Sequence, residues 1–305
     1  MNSFSMAART LGVAQPALSR HMQHLERELG ASLFQRHAKG ISLTSAGHLF
    51  LVRASQILAD VDASIAEVSR HGAEIRGKHT LGMPIPIASL LMEQLYGEGA
   101  RRYPGIELHL IEGFSGLLPE WLTGGSLDAA ILYSADTTAV NVIPLLTENL
   151  YLAGASNSAL RLMKSCSLSD ISSLPIIMPH RPHPVWTILD RYGVVPRHTI
   201  DADAIGIMKR LASQGKGYVL LPLSSIHKEV ESGELIARPM SDPVLSREVF
   251  LCYSKLRPLT PSLQAILNLV RQEVRQLVEN GGWPSASLVH LSDDPSLALP
   301  TSITL

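Results

Sequence analysis

The chain has 305 residues, a formal net charge of −1 and two cysteines that lie far apart, Cys166 and Cys252. This length allows two or more domains, and two distant cysteines do not make a disulfide framework. The sequence has no long uncharged apolar run, and its first residues lack the basic-then-apolar order of a signal peptide. We therefore expect a cytoplasmic protein with no membrane partner.

The first thirty residues predict two helices joined by a tight turn. Residues 5–11 are short and alanine-rich, Gly12-Val13 makes the connection, and Pro16 suits the first turn of the second helix because its missing N–H is not needed there. Gly30 favours the end of that helix. One face is apolar at helical spacing: Leu18, Met22, Leu25 and Leu29. The other face carries side chains suited to contacts with DNA: Gln15, Ser19, Arg20 and Gln23.

A basic hairpin is predicted next. Two short apolar runs, at 33–34 and 41–43, flank a turn that contains Arg36 and Lys39 and ends in glycine. This pattern favours a β-wing whose basic side chains contact phosphate. Residues 1–48 hold five basic residues against two glutamates, a net charge of +3, which is a modest basic footprint.

Residues 47–72 predict one helix that pairs with a second copy. The stretch has no proline, and its apolar residues are spaced by 3 and 4 in the manner of a heptad seam: Leu51, Ala54, Leu58, Val61, Ile65 and Val68. Periodicity alone also allows a helix that packs on its own domain. The position of this helix, after a wing and before a new domain, favours a linker that pairs.

Strands and helices alternate after residue 77, which predicts an α/β domain with a largely parallel sheet. Residues 142–153 carry the chain across to a second lobe, and the long amphipathic helix at 261–279 returns it to the first. We expect a two-lobed α/β domain over 78–280, with lobe I at about 78–150 and 258–280 and lobe II at about 151–257. Residues 281–305 show no clear period and predict a disordered or loosely docked tail.

Ligands of open α/β sheets bind beyond the carboxyl ends of the strands. Ser89 stands at an expected helix start, where free N–H groups meet anions, and Arg181 follows a strand of the second lobe and can clamp a carboxylate. A small organic anion is the effector that these loops favour. Capping serines and a surface arginine are the alternative interpretation. The expected effector-binding residues are Ser89, Phe114, Ser115, Gly116, His180, Arg181 and Ala204.

Catalysis is disfavoured by the motifs. Gly113-Phe114-Ser115-Gly116 has Leu117 where a nucleophile elbow needs glycine, and the sequence has no glycine-rich phosphate loop. His180 and His183 stand three apart near His198, but prolines surround them and no carboxylate or cysteine accompanies them, so a surface turn is favoured over a metal site. We expect no enzyme activity, no cofactor and no metal.

The N-terminal residues resemble the winged helix-turn-helix of LysR-type transcriptional regulators. The resemblance rests on five short stretches in one order: residues 3–8, 15–20, 25–30, 33–36 and 43–47. A looser resemblance to the family's effector domain, which has a fold like that of periplasmic binding proteins, rests on 125–130 and 215–222. An amphipathic helix pair in an ordinary helical domain is the alternative interpretation.

The resemblance implies a regulator that binds a palindromic promoter site and responds to a small-molecule effector. It implies a winged helix-turn-helix over 1–46, a dimerisation helix over 47–72 and a homodimer that pairs into a homotetramer. The expected DNA-binding residues are Ser5, Gln15, Pro16, Ala17, Ser19, Arg20, Gln23, Arg36, Lys39 and Thr44. Family members carry a further helix before this point, so we expect a truncated N-terminus. The alternative function is a ligand-binding protein of the same fold that lacks DNA binding because of that truncation.

Overall fold

The computed structural model describes residues 4–10, 12–37, 40–51, 53–54, 57, 75–196, 198–255 and 258–289. The chain divides into two compact units. The N-terminal unit is Met1–Arg70 with Leu256–Pro258, and the C-terminal unit is His71–Lys255 with Leu259–Leu305.

The N-terminal unit contains the two helices and the hairpin that the sequence predicts. These elements are α1 (Phe4–Thr10), α2 (Gln15–Leu29), β1 (Phe34–His37) and β2 (Gly40–Leu43). The turn between the helices depends on Gly12, which has a φ of 66°. The N–H groups of Gly12 and Val13 donate to the carbonyls of Arg9 and Ala8 and so close the end of α1. The strands β1 and β2 pair antiparallel, from Phe34 opposite Leu43 to His37 opposite Gly40.

A helix follows the hairpin, and Thr44 caps its start. The Thr44 hydroxyl accepts a hydrogen bond from the Gly47 N–H at 2.9 Å and donates one to the Ser32 carbonyl at 2.6 Å. Residues 45–51, 53–54 and 57 are helical.

The C-terminal unit consists of alternating strands and helices. Its helices are α3 (Ile85–Arg102), α4 (Leu118–Thr123), α5 (Leu168–Ser173), α6 (Pro184–Arg191), α7 (Ile205–Ser213), α8 (Leu223–Glu231) and α9 (Pro261–Glu279). Its strands are β3 (Gly77–Pro84), β4 (Ile106–Gly113), β5 (Ala129–Leu132), β6 (Val140–Ala155), β7 (Cys166–Ser167), β8 (Pro175–Met178), β9 (His198–Asp201), β10 (Tyr218–Pro222), β11 (Leu235–Asp242), β12 (Ser246–Ser254) and β13 (Ala286–Leu288).

Strand β6 belongs to the sheets of both lobes. Its first part pairs with β12 and β13, and the sheet continues through β5 and β3 to β4, which together form lobe I. Its last residues pair with β10 and β11, and the sheet continues through β8 to β9, which form lobe II. Strands β3, β4 and β5 run parallel to one another, as do β8, β9 and β10. This arrangement confirms a two-lobed α/β domain.

Each lobe has its own apolar core. In lobe I, helices α3 and α9 pack on the sheet through Leu91, Leu95 and Val270, which are fully buried with the strand residues Leu81 and Met83. In lobe II, the equivalent core joins strand residues to α5 and α6, and it contains Leu152, Ile171, Ile176, Leu189 and Leu220. The two cores are therefore separate, one in each lobe.

Two expected boundaries need correction. Strand β12 lies on lobe I, although residues up to 257 were expected in lobe II, because it pairs antiparallel with β5 and with the first part of β6. The described residues after 280 are not loosely docked. Trp283 is 2% exposed and β13 adds to the edge of β6, since the indole and the strand complete the core of lobe I.

We predict that Trp283→Ala destabilises the C-terminal unit strongly. Removing a buried aromatic side chain leaves a cavity and costs about 3–5 kcal/mol, and here it also removes the hydrogen bond from the indole N–H to Glu148. Urea unfolding followed by circular dichroism measures the loss. Tyr96→Ala, at a side chain that is 68% exposed, is the control and is expected to change the free energy of unfolding by less than about 0.5 kcal/mol. Equal losses in the two variants would contradict a structural role for the segment after residue 280.

Candidate functional site

Helix α2 begins without a side-chain cap and ends in a glycine. Its N-cap residue is Ala14, Pro16 lies in the first turn, and Gly30 adopts the left-handed conformation with a φ of 62°. Pro16 has no N–H, and the N–H groups of Ala17 and Leu18 donate to the Ala14 carbonyl at 3.0 and 3.1 Å. Of the first four residues of α2, this leaves the Gln15 N–H for an anion such as phosphate.

The outer face of α2 carries most of the residues expected to contact DNA. Gln15, Pro16, Arg20 and Gln23 are exposed, whereas Ala17 and Ser19 are half-buried. The expected apolar face is incomplete: Leu18, Met22 and Leu25 are half-buried, and Leu29 is 44% exposed because it lies next to the helix end.

Glu26 joins α2 to the hairpin. One oxygen of its carboxylate accepts the backbone N–H groups of Leu33 at 2.7 Å and Phe34 at 3.1 Å, where the chain enters β1. The Phe34 ring also meets the Phe4 ring of α1 edge-on, with 5.2 Å between centroids. The position of the hairpin relative to α2 is therefore set by a charge-assisted pair of hydrogen bonds, a role that the sequence analysis did not assign to Glu26.

The remaining residues expected at the DNA are distributed as follows. Ser5 lies in α1 and Arg36 in β1, but their side chains lie outside the described structure, as does Lys39 entirely. The Thr44 hydroxyl is engaged in capping the following helix.

Part of the expected heptad seam is described. Leu51 is 47% exposed, and two further large apolar side chains nearby, Leu49 and Ile57, are more exposed still. Ala54 is half-buried. The other seam positions, Leu58, Val61, Ile65 and Val68, lie outside the described residues.

A cleft with a cavity volume of about 70 Å³ lies between the two lobes of the C-terminal unit. It forms where parallel strands of both lobes end, at Pro84 in β3, at Gly113 in β4 and at Pro179 directly after β8, as the fold rule predicts. Its concave shape and its place between two lobes are typical of small-molecule sites. Most of the wall is apolar and comes from both lobes, including Ile85, Phe114, Leu150, Val185, Ile188 and Met208.

Two of the seven expected effector-binding residues line this cleft, namely Phe114 and Ser115. Ser89 does not, because α3 begins at Ile85 and the Ser89 hydroxyl, in the second turn, donates to the Pro86 carbonyl at 2.8 Å. Arg181 lies outside the cleft as well. Its guanidinium makes two 2.7 Å hydrogen bonds to Asp190, and it stacks on the Trp186 ring.

The other three expected residues are also outside the lining. Gly116 follows Ser115 and packs near the Phe114 ring. The backbone N–H of His180 donates to the Asp203 carboxylate at 2.8 Å, and the side chain is exposed. Ala204 is the N-cap residue of α7 and stands between two residues that line the cleft, Asp203 and Ile205.

The strongest electrostatic feature of the cleft is an ion pair that the sequence analysis missed. Arg247 lines the cleft, and its Nε and Nη2 both lie 2.6 Å from Oε1 of Glu148, which is fully buried. The other carboxylate oxygen accepts hydrogen bonds from the Ser224 hydroxyl at 2.8 Å and the Trp283 indole at 3.0 Å. The one signal in the sequence is a lone glutamate inside the apolar stretch 142–153.

Three buried polar atoms on the cleft wall make no hydrogen bond among the described residues: Tyr133 Oη, Ser225 Oγ and Nη2 of Arg247, whose contact with Glu148 is an ion pair only. The Tyr133 ring lies under the Arg247 guanidinium, 3.6 Å from centroid to Cζ. Burial raises the pKa of Tyr133 above its ordinary value. The phenol is therefore a neutral donor and acceptor at physiological pH.

His183 is the neutral base of the cleft. Burial, with a smaller contribution from the Arg247 charge, lowers the pKa of His183 to about 4. Its Nδ1 accepts the backbone N–H of Val185 at 3.3 Å and caps α6, so the ring proton of the neutral form resides on Nε2.

Family comparisons identify both units. The model of the LysR substrate binding domain matches residues 72–275, and the model of the bacterial regulatory helix-turn-helix protein, lysR family, matches residues 1–48. The chain belongs to the LysR family of transcriptional regulators. The helix-turn-helix match contains α1, α2 and the hairpin, and the substrate-binding-domain match contains β3 and the α/β elements up to residue 275.

Individual relatives agree with the family. The HTH-type transcriptional regulator BbuR of Bordetella bronchiseptica is 28% identical over 92% of this chain and 88% of its own length. BudR of Raoultella terrigena is 31% identical over 73% of this chain and 80% of its own length. A cysteine-to-aspartate variant of full-length OxyR from Pseudomonas aeruginosa has the same fold, with a TM-score of 0.74 at 23% identity and 89% of each chain covered.

This LysR-type chain is a transcriptional regulator with an effector-binding domain, and not an enzyme. LysR regulators bind DNA and small-molecule effectors and form oligomers. No helix among the described residues is long and apolar enough to span a bilayer. Within the same residues, no cluster of three His, Cys, Asp or Glu side chains is placed to hold a metal ion.

We predict that this LysR chain loses stability on acidification partly through His183. The pKa of His183 is lower in the folded chain than in the unfolded chain, where it is about 6.5. The neutral ring therefore contributes to the free energy of unfolding above pH 6.5, and this contribution is lost as the pH falls toward 4. His183→Asn keeps a capping oxygen but has no group that titrates in this range. Between pH 7 and 4.5 its free energy of unfolding should therefore fall by about 2–3 kcal/mol less than that of the wild type. Urea midpoints across this range measure the difference. His180→Asn, at an exposed histidine, should follow the wild type. A His183→Asn curve that parallels the wild type would show that His183 is not buried as a neutral ring.

Proposed function

We propose that the chain binds a two-fold symmetric promoter site in the cytoplasm, with one α2 helix in each of two successive major grooves. The exposed side chains Gln15, Arg20 and Gln23 support this proposal, since amide and guanidinium groups form the bidentate contacts that distinguish bases. Pro16, Ala17 and Ser19 face the same groove. The Gln15 N–H at the start of α2 and the basic residues of the hairpin hold the phosphates.

We further propose that the helix starting at residue 45 pairs with a second copy and that these dimers join into a homotetramer. Three large apolar side chains exposed within nine residues support pairing, because such a surface on a single chain marks an interaction site. Pairing sets the distance between the two α2 helices, and therefore the half-site spacing.

The cleft between the lobes is the effector site in this proposal. Phe114 and Ser115 contribute from lobe I, Ser225 and His183 contribute from lobe II, and Arg247 lies on β12. A ligand that contacts both lobes favours one lobe arrangement over another, and it shifts the regulator only to the extent that its affinities for the two states differ. The observation that supports the effector site most strongly is the set of buried polar atoms on this wall that make no hydrogen bond among the described residues: Tyr133 Oη, Ser225 Oγ and Arg247 Nη2.

Arg20→Ala tests the DNA-binding part of the proposal. If Arg20 contacts a guanine, the variant loses about 1–3 kcal/mol of binding free energy on the promoter site and loses discrimination at one base pair of each half-site. Gel-shift titration against the promoter beside the gene, and against sites altered one base pair at a time, measures both effects. Arg27→Ala is the matched control, because Arg27 lies in the last turn of α2 and donates to the Gln23 carbonyl.

Three outcomes have distinct meanings. Loss at one position supports base contact by Arg20, and an equal loss on all sequences assigns Arg20 to the phosphates instead. If the wild-type chain shows no preference for any promoter site, the DNA-binding proposal fails and the chain is a ligand-binding protein of the same fold.

A further inference from the structure

We propose that the effector of the cleft is an uncharged molecule with hydroxyl, carbonyl or amide groups, and not an organic anion. This inference rests on the proposed effector site and names the class of ligand that the site accepts. It replaces the anion that the sequence favoured on the strength of Ser89 and Arg181, neither of which lines the cleft.

The cation of the cleft is already neutralised. Both nitrogens of Arg247 that contact Glu148 lie 2.6 Å from one carboxylate oxygen, and Glu148 stands directly opposite Arg247 in the β6–β12 register. Hydrogen bonds from Ser224 and Trp283 satisfy the second oxygen. An incoming anion would have to compete with a fully buried carboxylate that is fixed from three sides.

No other group on the described wall supplies a positive side chain. His183 is neutral at physiological pH, because burial lowers its pKa to about 4. Asp203 contributes a carboxylate next to the start of α7, where it offsets the partial positive charge of that helix. Counted with Glu148, the formal charge around the cleft is therefore negative. A carboxylate that left water for this largely apolar space would lose its hydration without gaining an unpaired cation.

Two of the three buried polar atoms on the described wall that make no hydrogen bond are neutral hydroxyls, and the third, Arg247 Nη2, belongs to the guanidinium whose charge Glu148 offsets. Tyr133 Oη and Ser225 Oγ are buried on the cleft wall and make no hydrogen bond among the described residues. Tyr133 belongs to lobe I and Ser225 to the first turn of α8 in lobe II. A hydroxyl, carbonyl or amide group can pair with either side chain without bringing charge into the cleft. A neutral ligand with two such groups would satisfy both hydroxyls and join the lobes.

The test compares two probes of the same shape and different charge, 4-hydroxybenzamide and 4-hydroxybenzoate. Binding to the full chain is measured at pH 7 by ligand-observed NMR titration, with 4-hydroxybenzamide expected to bind at least tenfold more tightly. Tyr133→Phe and Ser225→Ala are each expected to weaken 4-hydroxybenzamide about tenfold. Equal or tighter binding of 4-hydroxybenzoate overturns the inference, and so does the absence of saturable binding by 4-hydroxybenzamide.

A charge variant provides the sharpest comparison. Glu148→Gln keeps the shape of the side chain but leaves Arg247 without its counter-charge, so the preference should reverse and 4-hydroxybenzoate should bind at least tenfold more tightly than 4-hydroxybenzamide. Glu231→Gln, at an exposed carboxylate of α8, should keep the wild-type preference. A folded Glu148→Gln that still prefers the amide overturns the inference, and if the variant does not fold, the wild-type pair of probes decides alone.

Failure of this inference is distinguishable from failure of the proposed function. Gel shifts of the wild-type chain without probe report DNA binding independently of the cleft. A chain that binds its promoter site and prefers 4-hydroxybenzoate keeps the proposed function and overturns only the ligand class.

Discussion

The buried carboxylate of Glu148 determines how four segments of the C-terminal unit meet. A carboxylate in a protein interior must be paired and hydrogen-bonded, because removing its partner destabilises the fold by about 3–5 kcal/mol. Here the partners come from β12, from the start of α8 and from the segment after α9. The position of each segment is therefore tied to the same carboxylate, which lies on the strand that both lobes share.

The hydrogen bonds of Glu148 connect the cleft wall to both lobes. Strand β6 passes from one sheet to the other, and Glu148 stands two residues before Leu150, where β6 begins to pair with β10. Arg247 is its cross-strand neighbour and also part of the cleft wall, whereas Ser224 belongs to lobe II and Trp283 to the core of lobe I. A change in lobe orientation must alter at least one hydrogen bond to this carboxylate, so ligand contacts near Arg247 and the arrangement of the lobes are energetically coupled.

Local sequence patterns predicted where helices and strands lie, but they did not predict which side chains meet across the fold. The helix predicted at 261–279 is present as α9 with the same limits, and the positions of α2 and the wing follow from Pro16, Gly30 and the basic turn. By contrast, Arg247 lies 99 residues from Glu148, and Trp283 lies 135 residues from it. No periodicity within a single element reports such pairs, which is why β12 was expected in the wrong lobe and the segment after residue 280 was expected to be loose.

The position of Arg181 shows the same limit at the candidate site. An arginine in a loop after a strand has the right chemistry for a carboxylate ligand, and the sequence offers no reason to prefer another partner. The structure supplies one, since α6 brings Asp190 within 2.7 Å of both terminal nitrogens of Arg181. Arg247 has no distinguishing sequence context, yet its strand register sets it against Glu148 and beside Tyr133. The residue type indicates which chemistry is possible, whereas the pairing of charges decides whether it is available to a ligand. Arg247 in the cleft and Arg181 outside it are each paired with a carboxylate of the same chain, and the buried polar atoms of the described wall that make no hydrogen bond are the hydroxyls of Tyr133 and Ser225 and Nη2 of Arg247.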